Sequence, residues 1–228
     1  MSAPAQRYAP TDRRPIASRE SRVWQKAAAF LAARRVSPNF ISVAGMAAGI
    51  LAGLLLAATR FAENGWAQRA LWLGAAAGIQ LRLLANMLDG MVAIASQRAS
   101  RLGELYNELP DRASDAAIII GAGYAVGGAP TLGYIGACIA ILTAYVRAVG
   151  KAAGASKLFV GPMAKPHRMF VLTLVALLMA VLPREWQPSW GGLRAGLASL
   201  GLGLIIVGGL MTVVRRLELI ARHLQDPG

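Results

Sequence analysis

PNFISVAGMAAGILAGLLLAAT, residues 38–59, runs for 22 residues without a charge. In water such a stretch has no polar face to present. As a helix it is long enough to cross a hydrocarbon core of ~30 Å. Ser37-Pro38-Asn39 opens it, with proline where a helix can start. This segment makes the chain a membrane protein, and the rest of the sequence is read outward from it.

Further segments of the same kind follow. Residues 69–95 predict a second span, interrupted by Arg82 and Asp89. Residues 116–146 carry no charge, and Gly127-Gly128-Ala129-Pro130 divides that run. The division gives a third helix near 104–126 and a fourth near 131–149. Residues 169–182 and 195–214 supply the fifth and sixth. The fifth spans only if Lys165 and Arg168 sit at its end. Upstream, Val23, Trp24, Ala27, Phe30 and Leu31 share one helical face, and Arg19, Arg22 and Lys26 lie opposite. That pattern suits an amphipathic helix lying in the membrane interface. The expected fold is all-α, a polytopic membrane protein with six transmembrane helices. Its parts are a disordered basic arm (1–20), an interfacial helix (21–36), the membrane domain (37–217) and a tail (218–228).

Composition agrees. Hydrophobic residues make up 56% and charged residues 15% of the 228-residue chain, against ~25% charged in soluble domains. The single cysteine, Cys138, excludes an intrachain disulfide framework and a cysteine zinc site. A net charge of +13 would ordinarily point to nucleic acid. Here the basic residues follow topology: the N-terminal arm, Arg147 to Arg168, and Arg215, Arg216 and Arg222 all fall on one side of a six-span chain. The positive-inside rule puts both termini in the cytoplasm and leaves the charge explained without nucleic acid. The expected location is an inner (cell) membrane. Gly45, Gly49 and Gly53 form a small-residue stripe, either a dimer seam or a packing face within the chain.

Acids are scarce, and five of the eleven lie between 89 and 115: Asp89, Glu104, Glu108, Asp111 and Asp115. Charge at membrane depth is costly and marks pairing or function. Asn86 and Asp89 share a helix face, as do Asn107 and Asp111. If helices two and three form a hairpin turning near residue 98, these four side chains lie level. An oxygen-only set suits Mg²⁺ or Mn²⁺ rather than zinc, although polar helix packing without a metal also accommodates it. Arg82 and Asp115 fall level one turn deeper, as a neutralising pair. Gly90 leaves room for a ligand against the helix backbone. Arg147, Lys165 and Arg168 gather where helix four ends and helix five begins, as an anion pocket for a phosphate or as charges contacting headgroups.

At these residues the sequence resembles the CDP-alcohol phosphotransferase family, whose signature is D-x2-D-G-x2-A-R, a short spacer, then G-x3-D-x3-D. Asp89, Gly90, Ala93, Gly103 and Asp111 match it in identity and spacing. Asn86, Asn107 and Ile94 stand where the pattern has Asp, Asp and Arg. The resemblance implies a membrane phosphatidyltransferase moving a phosphatidyl group from CDP-diacylglycerol to an alcohol, with release of CMP, in phospholipid biosynthesis. It implies that Asn86, Asp89, Asn107 and Asp111 hold Mg²⁺ or Mn²⁺, and that Asp111 is the catalytic base. Gly90, Ala93 and Gly103 would receive the nucleotide, and Arg147, Lys165 and Arg168 the acceptor's phosphate. Arg98, Arg101 or Arg112 would stand in for the missing arginine, and a homodimer is implied. The departures leave one alternative, a member that keeps the fold and binds a lipid or partner without catalysis. A transporter fits less well, since the polar residues gather at one membrane face.

Overall fold

The computed structural model describes residues 21–97, 101–155, 159–183, 186 and 196–225. The basic arm, Arg98, Lys157, Arg184 and Arg194 lie outside the described residues, as do the side chains of Arg101, Glu104 and Asn107. The described residues are helical, with no strand among them. Helix α1 is Arg22–Ala33, α2 Pro38–Ala58, α3 Gly65–Ala95, α4 Arg101–Tyr124, α5 Pro130–Ala152, α6 Lys165–Val181 and α7 Leu197–Gln225.

The helix starts follow local chemistry. Pro38 and Pro130 begin α2 and α5, and Pro166 is the second residue of α6. Proline has a preset φ, and at these positions its missing N–H would be unbonded in any case. Asn64 caps α3 by accepting from the Ala67 N–H at 2.7 Å. The glycine turn between α4 and α5 is tight: Gly127 takes φ +70°, open to glycine at little cost. Two ends differ from the sequence reading. Helix α3 starts four residues before Arg69. Helix α7 does not stop near 214 but continues to Gln225. Ile220 on this extension is buried with Val146, Ala155 and Val213.

Among the described residues, four helices are long and apolar enough to cross a membrane: α2 with the short turn after it, α3, α5 and α7. The bundle closes on itself in the order α2, α4, α5, α7, α6, α3, with α1 laid against α3. A hairpin turning near residue 98 would put α3 and α4 side by side. Instead α2 lies between them over most of their length, and the two meet only briefly. The small-residue stripe of α2 explains this placement. A Cβ on Gly45 would stand 2.6 Å from Ala85 of α3, and one on Gly49 2.6 Å from Ser114 of α4. On Gly53 it would strike the Ala117 carbonyl, and Gly121 meets Gly53 backbone to backbone. The stripe therefore packs within the chain. Trp72, Ile79, Ile118, Ile119, Met169, Leu172 and Leu202 fill the interior. Leu51, Leu54, Leu81, Phe170, Leu204 and Val207 point outward, as expected where the solvent is lipid.

Backbone contact at Gly53 leaves no slack for a methyl group. Gly53→Ala and Gly121→Ala should each lower thermal stability in detergent, by the ~1–3 kcal/mol typical of overpacking. A Cβ on Gly203 would meet nothing within 4 Å. Gly203→Ala should hold or raise the melting temperature, since alanine is the better helix former. Equal effects at the three positions would contradict this packing.

Candidate active site

At one end of the bundle the starts of α2, α4 and α6 meet the ends of α3, α5 and α7, and the acids gather there. Asp89, near the end of α3, is buried. Its Oδ2 accepts the Ser42 hydroxyl of α2 at 2.7 Å, and its Oδ1 accepts the Gly90 N–H at 2.5 Å. Asn86 lies one turn away on the same helix and is half-buried, as are Gly90, Ala93 and Gly103.

Helix α4 carries a row of acids, Glu108, Asp111 and Asp115, repeated every three or four residues and so on one face. Each meets basic side chains from other helices. Glu108 accepts from Arg147 of α5 at 2.5 Å and from Arg112 one turn along. Asp111 is held at both oxygens: Arg82 of α3 bonds Oδ1, and Lys165 Nζ of α6 lies 2.6 Å from Oδ2. Asp115 Oδ2 lies 3.2 Å from Arg168 of α6. Arg168 also donates to the Met163 carbonyl at 3.0 Å and to the Thr143 hydroxyl at 3.3 Å. The row descends into the bundle, with the acid side chains 48%, 12% and 4% exposed in turn. Asp89 and Asp111 lie within electrostatic reach of one another, and Lys165 within reach of Asp89.

The structure brings Asp89, Asp111, Lys165, Arg168 and Arg147 to this end. Arg82 meets Asp115 as expected and meets Asp111 more closely. Arg82 crosses the Gly49 notch in α2, where its stem passes 3.3 Å from where a Cβ would sit, bonds Ser114 and ends on Asp111. Its distance to Asp115 is 3.8 Å, so Arg168 is the nearer partner of Asp115. Ser42, Ser114 and Thr143 make polar contacts here that the sequence pattern does not reveal. Ser42 is 47 residues from Asp89, and a serine in an apolar run carries no signal of such a partner. Arg216 has the sequence pattern of a topology charge. In the structure it is buried and donates to the carbonyls of Thr143, at 2.5 Å, and Val160, at 3.2 Å. Among the described residues, no three His, Cys, Asp or Glu side chains form a group that could hold a metal ion.

Comparison with known proteins decides what this arrangement belongs to. The chain is 30% identical to phosphatidylinositol phosphate synthase of Streptomyces avermitilis over 209 residues, covering 89% of this chain and 80% of that protein. The chain belongs to the CDP-alcohol phosphotransferase family. It is also 28% identical over 165 residues to the inner membrane protein YnbA of Escherichia coli K12, covering 72% of this chain and 78% of that protein. Two crystal structures of Mycobacterium tuberculosis phosphatidylinositol phosphate synthase (PgsA1) share the fold at 20% identity. The one with CDP-DAG bound superposes with a TM-score of 0.69 over 88% of this chain and 94% of that chain. The one in complex with manganese and citrate gives 0.67 over 87% and 88%. No family model matches the chain. Membership makes this protein an enzyme, a CDP-alcohol phosphatidyltransferase, and an integral membrane protein.

Within this phosphatidyltransferase a deeply buried ion pair joins Arg168 to Asp115. Arg168 and Asp115 are nearly sealed from solvent, and removing one partner of such a pair leaves an uncompensated charge costing ~3–5 kcal/mol. Arg168→Met should lose stability of that order, and adding Asp115→Asn should recover part of it. The coupling in that double-mutant cycle should exceed that of Arg82 with Asp115. Thermal melts in detergent check both, and additive losses for Arg168 and Asp115 would contradict the geometry.

Proposed function

We propose that the enzyme transfers a phosphatidyl group from CDP-diacylglycerol to an alcohol that itself carries a phosphate, with release of CMP, at the charged end of the bundle. The observation that carries this reading is Asp111, a carboxylate near the bundle mouth gripped at one oxygen by a buried arginine and at the other by a lysine. An ionised carboxylate so placed suits a base acting on a hydroxyl. The acceptor's proton passes to Asp111, the acceptor oxygen bonds the phosphatidyl phosphorus, and the bond from that phosphorus to the CMP oxygen breaks.

The donor set fits a hard divalent cation in its chemistry, since every donor is oxygen. Asp89 and Asn86 on α3 and Asn107 on α4 would hold it. The two cations already on Asp111 favour its role as base over that of a ligand. When bound, Mg²⁺ or Mn²⁺ supplies positive charge for the pyrophosphate oxygens and the departing CMP. The chain's own part is to hold Asp89 rigid through Ser42 and Gly90, and to leave the helix faces at Gly90, Ala93 and Gly103 open to the nucleotide. Arg147 and Lys165, both more exposed than Arg168, would receive the acceptor's phosphate, with Arg168 fixing α6 beneath them. Helices α4 and α6 would complete six spans. At ~1.5 Å per residue the 17 residues of α6 reach about 26 Å, nearly the thickness of the core. The charged end would face the cytoplasm, because the basic residues concentrate there.

Asp89→Ala and Asp111→Asn should each reduce CMP release from CDP-diacylglycerol by about 10²-fold or more while leaving folded protein in detergent. Unchanged turnover in either variant would refute the assignment. Asn86→Asp restores a carboxylate beside Asp89. It should lower the manganese concentration needed for half-saturation, read by electron paramagnetic resonance without turnover, and no shift would remove Asn86 from the ligand set.

A further inference from the structure

We infer that Lys165 is shared between Asp111 and the acceptor's phosphate, so that arrival of the acceptor draws the lysine away from the base it holds. The inference rests on the reading above that the acceptor carries a phosphate near Lys165, and it adds a coupling between acceptor binding and release of the base.

Four features of the ion-pair row lead to it. First, Asp111 has two unlike partners on different oxygens. Arg82 takes Oδ1 and Lys165 takes Oδ2 at 2.6 Å. Second, the partners differ in freedom. Arg82 is 2% exposed, is pinned by Ser114 as well and passes through the Gly49 notch. Lys165 is 14% exposed and is the first residue of α6. Third, the chemistry of the two groups differs. A lysine ammonium is a point charge on a flexible four-carbon stem, able to exchange one anion for another by rotation, whereas an arginine bonded at several nitrogens is held. Fourth, the neighbouring pairs bracket this one. Arg168 with Asp115 is nearly sealed, and Arg147 with Glu108 lies open. Only at the middle position of the described row is a buried carboxylate paired to a cation within reach of an incoming anion.

A phosphate has stronger acceptor oxygens and more charge than a carboxylate, and it competes for the ammonium by the same charge-assisted hydrogen bonds. When it takes Lys165, Arg82 keeps Asp111 in place through Oδ1, and Oδ2 turns from holding an ammonium to receiving the acceptor's proton. In the absence of acceptor the same lysine keeps Oδ2 occupied, which disfavours activation of water against CDP-diacylglycerol. Lys165 is thus a binding residue for the acceptor and a positioning residue for the base.

Competition is reciprocal, and binding can be measured without turnover. Inorganic phosphate is the probe, titrated calorimetrically into the purified full chain in detergent with Mg²⁺ present throughout. Asp111→Asn removes the competitor for Lys165. It should tighten phosphate binding by roughly tenfold, the size expected for one charged hydrogen bond. Lys165→Met should weaken binding by a similar factor. The decisive comparison is Asp111→Asn made in the K165M background, where no tightening should remain. Equal tightening in both backgrounds would mean that Asp111 acts only by its general negative charge, and the inference fails while phosphate recognition stands. No tightening in either background overturns it as well. Absence of phosphate binding to the wild-type chain and every variant would refute the phosphate-bearing acceptor itself.

Discussion

The row of acids on α4 cannot exist in this protein without the basic side chains that meet it. Inside a bundle surrounded by lipid, a carboxylate has little water to solvate it, and its charge persists only if cations come to it. Asp111 and Asp115 draw Arg82 from α3 and Lys165 and Arg168 from α6. Those bonds tie α3, α4 and α6 together at one end of the bundle. The nearest alternative, burying the acids unpaired, costs several kcal/mol each. The register of α3 and α6 against α4 therefore follows from the position of the acids as well as from apolar packing.

Small residues make that convergence possible. For Arg82 to reach Asp111, it must cross α2, and it does so at Gly49. A larger side chain there would meet both the arginine stem and Ser114. The Gly53–Gly121 contact one turn further brings α2 and α4 to backbone distance and sets how far α4 stands from α3. Packing and electrostatics are thus solved together: the glycines set the helix spacing that a long, rigid guanidinium can bridge. In lipid, where burial of apolar surface between helices gains little, close backbone approach of this kind is a principal source of cohesion.

Much of this was legible in the chain, and the limits were specific. Charge-free length exposed the membrane helices, because lipid allows no polar face. The signature around Asp89 and Asp111 exposed the family, because its spacing puts side chains on defined helix faces. Level-matching along a hairpin put Arg82 opposite α4 and found its ion pair with Asp115, but not its closer contact with Asp111, since a sequence read helix by helix does not show that α2 lies between the two. The cation pocket was legible as a cluster of charges, yet not the fact that each cation already faces an acid. Arg147, Lys165 and Arg168 follow one another over 22 residues, whereas the acids that meet them lie on α4, as many as 54 residues earlier. Ser42 and Thr143 were invisible for the same reason: a hydroxyl in an apolar run reveals its role only when the fold supplies its partner.

The two asparagines gain a meaning from this pairing. Asp89, Asp111 and Asp115 carry three negative charges, and Arg82, Lys165 and Arg168 carry three positive ones. Carboxylates at 86 and 107, as in the family pattern, would leave this set two charges negative and repel the anionic pyrophosphate of a CDP-lipid unless cations were bound. With asparagine at both positions these six side chains balance one another before any ion arrives. On the function proposed here, less of the charge that offsets the pyrophosphate has to come from a bound metal, because side chains fixed in the bundle already cancel the acids. The same offset makes Lys165 consequential, since any anion that recruits it changes the balance at Asp111 directly. On the inference drawn above, substrate charge and protein charge would then act on one another through a single ammonium, because the side chains nearest Asp111 already offset one another.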